Sequence, residues 1–232
     1  MIRALALRRP DPFVTLVYAL GAAASVALVG AAWQEWVHLP LHRTEVLAFV
    51  SGAWCVWLAA RNNVWNWPIG VLSSAVFVVL FWNARLFFDM GINVFYVVSG
   101  LWGWWIWTFG GRQRTERPIT RVGRREAGLL ALVGVVLTLG MWERGIAIHD
   151  AAPLLDALTT ALSLLAQWLL MRRQLENWLL WIAADLVYVP LYLSKDLPLT
   201  AMLYALFLLM CLRGLGGWRA IARRQAEEGQ GA

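Results

Sequence analysis

Trp178-Leu-Leu-Trp181-Ile-Ala-Ala-Asp185-Leu-Val-Tyr188-Val-Pro190-Leu-Tyr192-Leu193 is an apolar run with one carboxylate well inside it. Trp178, Trp181, Asp185, Tyr188 and Tyr192 follow one another at alternating steps of three and four. On a helix that spacing puts two indoles, one acid and two phenols on a single face. A helix over this run is long enough to cross much of a bilayer. An ionisable side chain at such a depth costs roughly 2.5–3.5 kcal/mol on insertion scales and faces a cavity, a partner or a substrate path. The stretch therefore predicts a membrane helix whose polar aromatic face walls a binding site for a polar organic molecule.

The rest of the chain agrees with an all-α membrane protein. It is 60% hydrophobic and 15% charged with mean hydropathy +0.60, whereas a soluble domain carries about a quarter charged residues. Apolar blocks predict spans at Phe13–Trp33, Glu45–Ala60, Trp65–Asn83, Leu86–Phe109, Ala127–Trp142, Leu154–Met171, Trp178–Leu193 and Pro198–Trp218, giving seven or eight transmembrane helices. The first of these follows Arg8 and Arg9 like a signal peptide. Its apolar run exceeds the usual signal core of about 7–15 residues, which predicts a retained helix that spans the membrane or lies on it. The longest connection, residues 110–126, leaves no room for a soluble domain.

A net charge of +6 and a pI near 10 invite a nucleic-acid reading. The distribution of charge argues against it. With eight spans and a cytoplasmic start, one side receives Arg3, Arg8, Arg9, Arg61, Arg172, Arg173, Arg219, Arg223, Arg224 and the six arginines of residues 112–125. The other receives only Arg43, Arg85, Arg144 and Lys195. This is the positive-inside pattern of a protein whose partner is the lipid bilayer, with both termini cytoplasmic. Cys55 and Cys211 each fall inside a span and predict neither a disulfide framework nor a metal site.

Shifting the chain by 111 residues aligns its halves without a gap: Trp57 meets Trp168, Arg61 meets Arg172, Asn66-Trp67 meets Asn177-Trp178, Gly103 meets Gly214 and Trp107 meets Trp218. Four spans return a chain to its starting side, so the copies are parallel, an architecture used by transporters with substrate held between the halves. The expected divisions are residues 1–44 (tail, N-terminal helix and outer loop), 45–109 (a three-helix bundle), 110–153 (basic loop and linker helix), 154–218 (a second three-helix bundle) and 219–232 (tail). Opposite Trp181, Asp185, Tyr188 and Tyr192 stand Gly70, Ser74, Phe77 and Phe81, so the predicted site is lopsided.

A second stripe, Asp89, Asn93, Tyr96, Gly100, Gly103 and Trp107, marks one face of the fourth span. Its glycines suit close helix packing; Asn93 and Tyr96 lie deeper and are site candidates. Gln167 is a membrane-buried amide, for which substrate bonding and helix–helix bonding are both open. Asn66 and Asn177 precede tryptophans at helix starts, where they cap backbone or form an inner gate with Trp67. Pro190 frees a carbonyl inside its helix, as suits an element that rocks. Trp33, Trp36, Trp82, Trp102, Trp104, Trp105, Trp107, Trp142 and Trp218 lie near span ends and read as interfacial anchors. His38, His42 and His149 fall in loops, and no zinc, phosphate-loop or nucleophile-elbow motif is present, which argues against an enzyme and predicts no cofactor.

At these residues the chain resembles the PnuC-type family of bacterial vitamin carriers. The resemblance rests on Val64-Trp-Asn-Trp-Pro-Ile-Gly70, Ala84-Arg-Leu-Phe-Phe-Asp89, Gly103-Trp-Trp-Ile-Trp107, Glu176-Asn-Trp-Leu-Leu-Trp181, Asp185 and Val187-Tyr-Val-Pro-Leu-Tyr192. It implies a three-plus-one-plus-three helix core similar to that of SWEET facilitators, a homotrimer in the bacterial inner membrane, and facilitated diffusion of nicotinamide riboside trapped by phosphorylation. The family's Trp-x-x-Trp and acidic positions map onto Trp178, Trp181 and Asp185; Asp89 of the second stripe, Asn177 and Asn83 complete the substrate-binding candidates. Asn83 and Asn93 stand where the family pattern has glutamine, each shortening a contact by a methylene, so thiamine, riboflavin or a deoxynucleoside stays open as cargo. A membrane-embedded enzyme or a structural subunit is the alternative class.

Overall fold

Among the described residues, apolar runs closed by asparagine, arginine and proline fold as eight helices: α1 Pro12–Gln34, α2 Arg43–Ala60, α3 Asn66–Asn83, α4 Phe87–Phe109, α5 Arg124–Ala147, α6 Pro153–Met171, α7 Asn177–Ser194 and α8 Pro198–Gln230. This computed structural model describes residues 12–34, 43–83, 85, 87–111, 117–149, 152–194 and 198–230. Arg3, Arg8, Arg9, His38, His42, Arg112, Arg114 and Lys195 lie outside the described residues. Five helices are long and apolar enough to cross a membrane: α3, α5, α6, α7 and the Ala201–Glu228 part of α8. Their outward faces are apolar too, with Leu72, Leu129, Val136 and Met202 each more than 60% exposed, as a lipid solvent requires. Every predicted span is a helix. The main difference is α8, which continues past Trp218 through a good helix-forming stretch to Gln230, where a polar tail was expected.

Contacts divide the chain into two units, Met1–Val50 and Ser51–Ala232. The first holds α1 and the opening turns of α2; within α1, Ser25 Oγ donates to the Gly21 carbonyl at 2.7 Å. All that follows concerns the second unit. There α3 packs on α4, α7 on α8, and α6 on α4, α5 and α7.

The 111-residue repeat recurs in three dimensions. α2 and α6 end on the same turn: Asn63 N–H donates to Leu58 O at 2.8 Å, and Gln174 N–H to Leu169 O at 2.9 Å. The turn passes through left-handed residues at matching positions, Asn62 (φ 54°) and Arg173 (φ 59°). Left-handed residues at helix ends satisfy the last carbonyls. Gly103 and Gly214 likewise receive matching rings: a Cβ on Gly103 would stand 2.6–2.8 Å from Trp67, and one on Gly214 2.7–2.8 Å from Trp178. The Trp107 indole N–H donates to Leu170 O and that of Trp218 to Ala59 O, both at 3.0 Å. Each half thus grips the other's helix end with a tryptophan, and Trp67, Trp107, Trp218 and Trp178 form one buried row, edge to face at its two ends and tilted by 58° at the central Trp107–Trp218 contact. Trp107 and Trp218 were expected as interfacial anchors. They are instead core residues, 2% and 0% exposed, while Trp82, Trp102, Trp104 and Trp105 are exposed at span ends as anchors are.

Candidate substrate cavity

Where the halves meet, a cavity of about 380 Å³ opens, within the range of small-molecule sites. α7 supplies Trp178, Trp181, Ala184, Asp185 and Tyr188; α6 supplies Ser163, Gln167 and Leu170; α8 supplies Tyr204, Phe207 and Cys211. The opposite wall comes from α2 (Gly52, Cys55, Val56, Ala59), α3 (Asn66, Trp67, Gly70, Val71, Ser74) and α4 (Tyr96, Gly100). Repeat mates face one another across it: Gly52 and Ser163, Val56 and Gln167, Gly70 and Trp181, Ser74 and Asp185, Gly100 and Cys211. In each of these pairs the second half carries the larger or more polar side chain, whereas Trp67 and Trp178 are alike and Tyr96 is more polar than its mate Phe207. Of the pairs expected to make the site lopsided, Gly70 with Trp181 and Ser74 with Asp185 line the cavity, while Phe77, Phe81 and Tyr192 are not among its lining residues.

Asp185 is 4% exposed. Its Oδ2 is buried with no protein partner, and Cys211 lines the same cavity. Three other buried polar atoms on the lining also lack protein partners: the indole nitrogens of Trp67 and Trp178 and Oδ1 of Asn66. An unpaired buried polar atom costs about 1–3 kcal/mol; these two donors and two acceptors belong to lining residues but are closed to solvent, so a hydrogen-bonding guest would offset that cost only where the side chain turns toward it. No Arg, Lys or His is among the described lining residues, and Asp185 is the one carboxyl group among them. The aromatic walls suit a flat ring, and cations above all, since ring faces are electron-rich.

Of the predicted site residues, Tyr96, Gln167, Trp178, Trp181, Asp185 and Tyr188 line the cavity, as do Asn66 and Trp67. Gln167 lines the cavity and also makes the helix–helix bond that was one of its two open readings, its Nε2 donating to Ser99 Oγ on α4 at 3.2 Å. Five candidates, Asn83, Asp89, Asn93, Asn177 and Tyr192, are elsewhere. Asn83 is exposed at the end of α3. Asp89 lies in the first turn of α4, where a carboxylate complements the helix dipole. Asn93 Nδ2 donates to Asp89 O at 2.9 Å in its own helix. Tyr192 stacks on Tyr204, with centroids 5.2 Å apart and planes 7° apart. Asn177 is fully buried beneath the cavity wall, its Nδ2 on Gln174 O, so the turn rather than the lining uses it. Pro190 is inside α7 and exposed.

Tyr204, Phe207 and Cys211 are lining residues that sequence reasoning missed. The signal was available. They lie on the stripe Tyr204, Phe207, Cys211, Gly214, Trp218, which is the first-half stripe Asn93, Tyr96, Gly100, Gly103, Trp107 displaced by 111 residues.

The family model described as nicotinamide mononucleotide transporter matches residues 42–220. The nicotinamide riboside transporter PnuC of Escherichia coli (strain K12) is 22% identical over 222 residues, covering 82% of this chain and 93% of that protein. PnuC of Haemophilus influenzae is 24% identical, covering 82% and 84%. The riboflavin/roseoflavin transporter RibM of Streptomyces davaonensis is 23% identical, covering 79% and 87%. The crystal structure of the vitamin B3 transporter PnuC shares the fold with a TM-score of 0.62 at 24% identity, covering 88% of this chain and 92% of that one. Multiple apolar helices, a repeat-built cavity and a family match over most of the chain converge: this protein is a multi-pass membrane protein of the nicotinamide mononucleotide transporter family, in which the PnuC carriers are its relatives.

Proposed function

We propose that the protein imports nicotinamide riboside through this cavity by facilitated diffusion. The observation that carries the reading is the buried, unpaired Oδ2 of Asp185 among aromatic walls with no cationic lining residue. Nicotinamide riboside offers a flat pyridinium for Trp181 and Tyr188 and hydroxyls for Asp185 and Gln167. The mononucleotide named in the family's description adds a phosphate, which would enter beside a carboxylate with no basic residue to balance it. The cavity therefore favours the riboside over the mononucleotide, in keeping with the names of the PnuC relatives.

The further parts of the proposal have separate supports. Charge asymmetry supports cytoplasmic termini and an inner-membrane location. The matched turns and tryptophan ties support α2–α4 and α6–α8 as two bundles with α5 as the linker. The resemblance to the family supports a homotrimer and trapping by phosphorylation.

Uptake of radiolabelled riboside into vesicles containing the protein tests the whole reading. We expect saturable uptake that equilibrates without a proton gradient and that Asp185→Ala combined with Trp181→Ala abolishes. Lack of saturable uptake, or a double variant as active as the parent, would overturn it. Unlabelled riboside, mononucleotide, thiamine and riboflavin as competitors define the cargo, with the riboside expected to compete best. Riboflavin competing better would move the assignment toward the chemistry named for RibM.

A further inference from the structure

α5 turns a face of small residues, Ala127, Ala131 and Gly134, toward leucines of α6 and α7, among them Leu162, Leu165 and Leu180. The helices touch at Gly134, where a Cβ would stand 3.0 Å from Leu165 Cδ1. Beside that contact runs a groove of about 480 Å³. Thr138 and Glu176 are its polar lining residues, so an entering polypeptide backbone would find few hydrogen-bond partners, whereas a hydrocarbon chain needs none.

The end of the groove is basic. Val122 and Glu176 line it there, and the Glu176 carboxylate is already engaged by Arg121 Nε at 3.3 Å and Val122 N at 2.9 Å. Arg124 lies on the same helical stripe as Ala127, Ala131 and Thr138, at the groove's end. Arg124 and Arg125 are exposed and belong to neither of the ion pairs that the described residues of this region make, Arg121–Glu176 and Arg172–Glu126. An apolar slot along a membrane-spanning helix, closed at its polar end by excess positive charge, complements one kind of molecule. Basic pockets between membrane helices recognise anionic head groups.

We propose that the α5–α6–α7 groove binds an anionic phospholipid, with one acyl chain in the slot and the phosphate at Arg121 and Arg124. The site is separate from the substrate cavity: the lining of the two shares no residue.

Native mass spectrometry of the full chain in mild detergent, titrated with phosphatidylglycerol or with phosphatidylcholine of the same acyl chains, tests this. An arginine near the head group contributes about fivefold to preference for an anionic lipid, so two give roughly 25-fold. We expect that preference in the parent protein and its collapse in Arg121→Gln/Arg124→Gln. Ala131→Phe, which fills the slot, should reduce adducts of both lipids. Circular dichroism and size exclusion identify any variant that fails to fold, in which case Arg124→Gln alone carries the test, with a fivefold loss expected. Equal affinity for the two lipids, retention of the preference in the arginine variants, or undiminished binding in Ala131→Phe would overturn the proposal. So would Ala131→Phe dissociating an oligomer that binds neither lipid, which would make the groove a contact between copies.

Discussion

Gly214 has no room for a methyl group, since a Cβ there would stand 2.7 Å from the Trp178 ring. Trp178 is 1% exposed and held edge-on by Trp218, so the ring has nowhere to go. Overpacking of this kind costs about 1–3 kcal/mol, and Gly214→Ala should lower the unfolding temperature in detergent. Gly216 has open space around its Cβ position, and Gly216→Ala should not lower it. Asp185 sets a different residue-scale test. Asp185→Asn keeps the size and some hydrogen bonding but removes the charge. A charge-assisted hydrogen bond contributes about 1.5–3 kcal/mol, so riboside affinity should fall roughly 10- to 100-fold in a binding titration, while an uncharged competitor should lose less. Equal losses for both would mean that the acid meets sugar hydroxyls and not the pyridinium.

At the scale of elements, the α6–α7 turn does more than join two helices. Arg173 donates through Nε and Nη2 to Asn62 Oδ1 at 3.1 and 2.9 Å, donates to the Arg117 carbonyl, and lies 4.9 Å over the Trp107 ring. It thereby ties its own turn to the matching α2–α3 turn and to the segment leading into α5. That segment is pinned along its length: Thr120 N–H donates to Arg173 O, Leu175 N–H to Thr120 O, and Ile119 N–H to Gln225 Oε1 on the extended part of α8. What reads in sequence as a basic loop is, from residue 117 onward, a docked strap. Removing one partner of a buried charged network costs about 3–5 kcal/mol, so Arg173→Ala should destabilise the protein strongly in thermal unfolding. Arg173→Lys should rescue only part of the loss because an ammonium cannot fork onto one oxygen while reaching a second.

For the whole molecule, the reciprocal ties of Trp107 and Trp218 place equal grips on the two halves at one end of the cavity. Replacing either indole by phenyl leaves one carbonyl without its donor, at a cost of about 1–3 kcal/mol. Trp107→Phe and Trp218→Phe should therefore destabilise to similar extents, measured as shifts in thermal midpoint. A large inequality would show that the repeat is geometric but not energetic. Ties concentrated at one end also suit a carrier whose halves rock about a central site.

Hydrophobic periodicity and the cost of inserting charge act within a single helix, so the sequence by itself determined the eight helices, their near ends, the membrane setting and the repeat. It also marked the Trp178–Tyr192 face and its asymmetry with Gly70–Phe81. Tertiary structure decided which members of each face meet the cavity. A helical face is long, whereas the cavity takes in only part of it, so Tyr188 lines it and Tyr192, one turn on, does not, although both rings stack on Tyr204. Asn83, Asp89 and Asn93 carry the right chemistry at the wrong height. Trp107 and Trp218 lie near span ends, as anchors do, but helix rotation points them at the partner half and buries them. Helix rotation and height are set by packing within each half at Gly103 and Gly214 and between the halves by Trp107, Trp218 and the Arg173 tie. No single-helix pattern carries that information, and here only the repeat shift could have extended the site to Tyr204, Phe207 and Cys211.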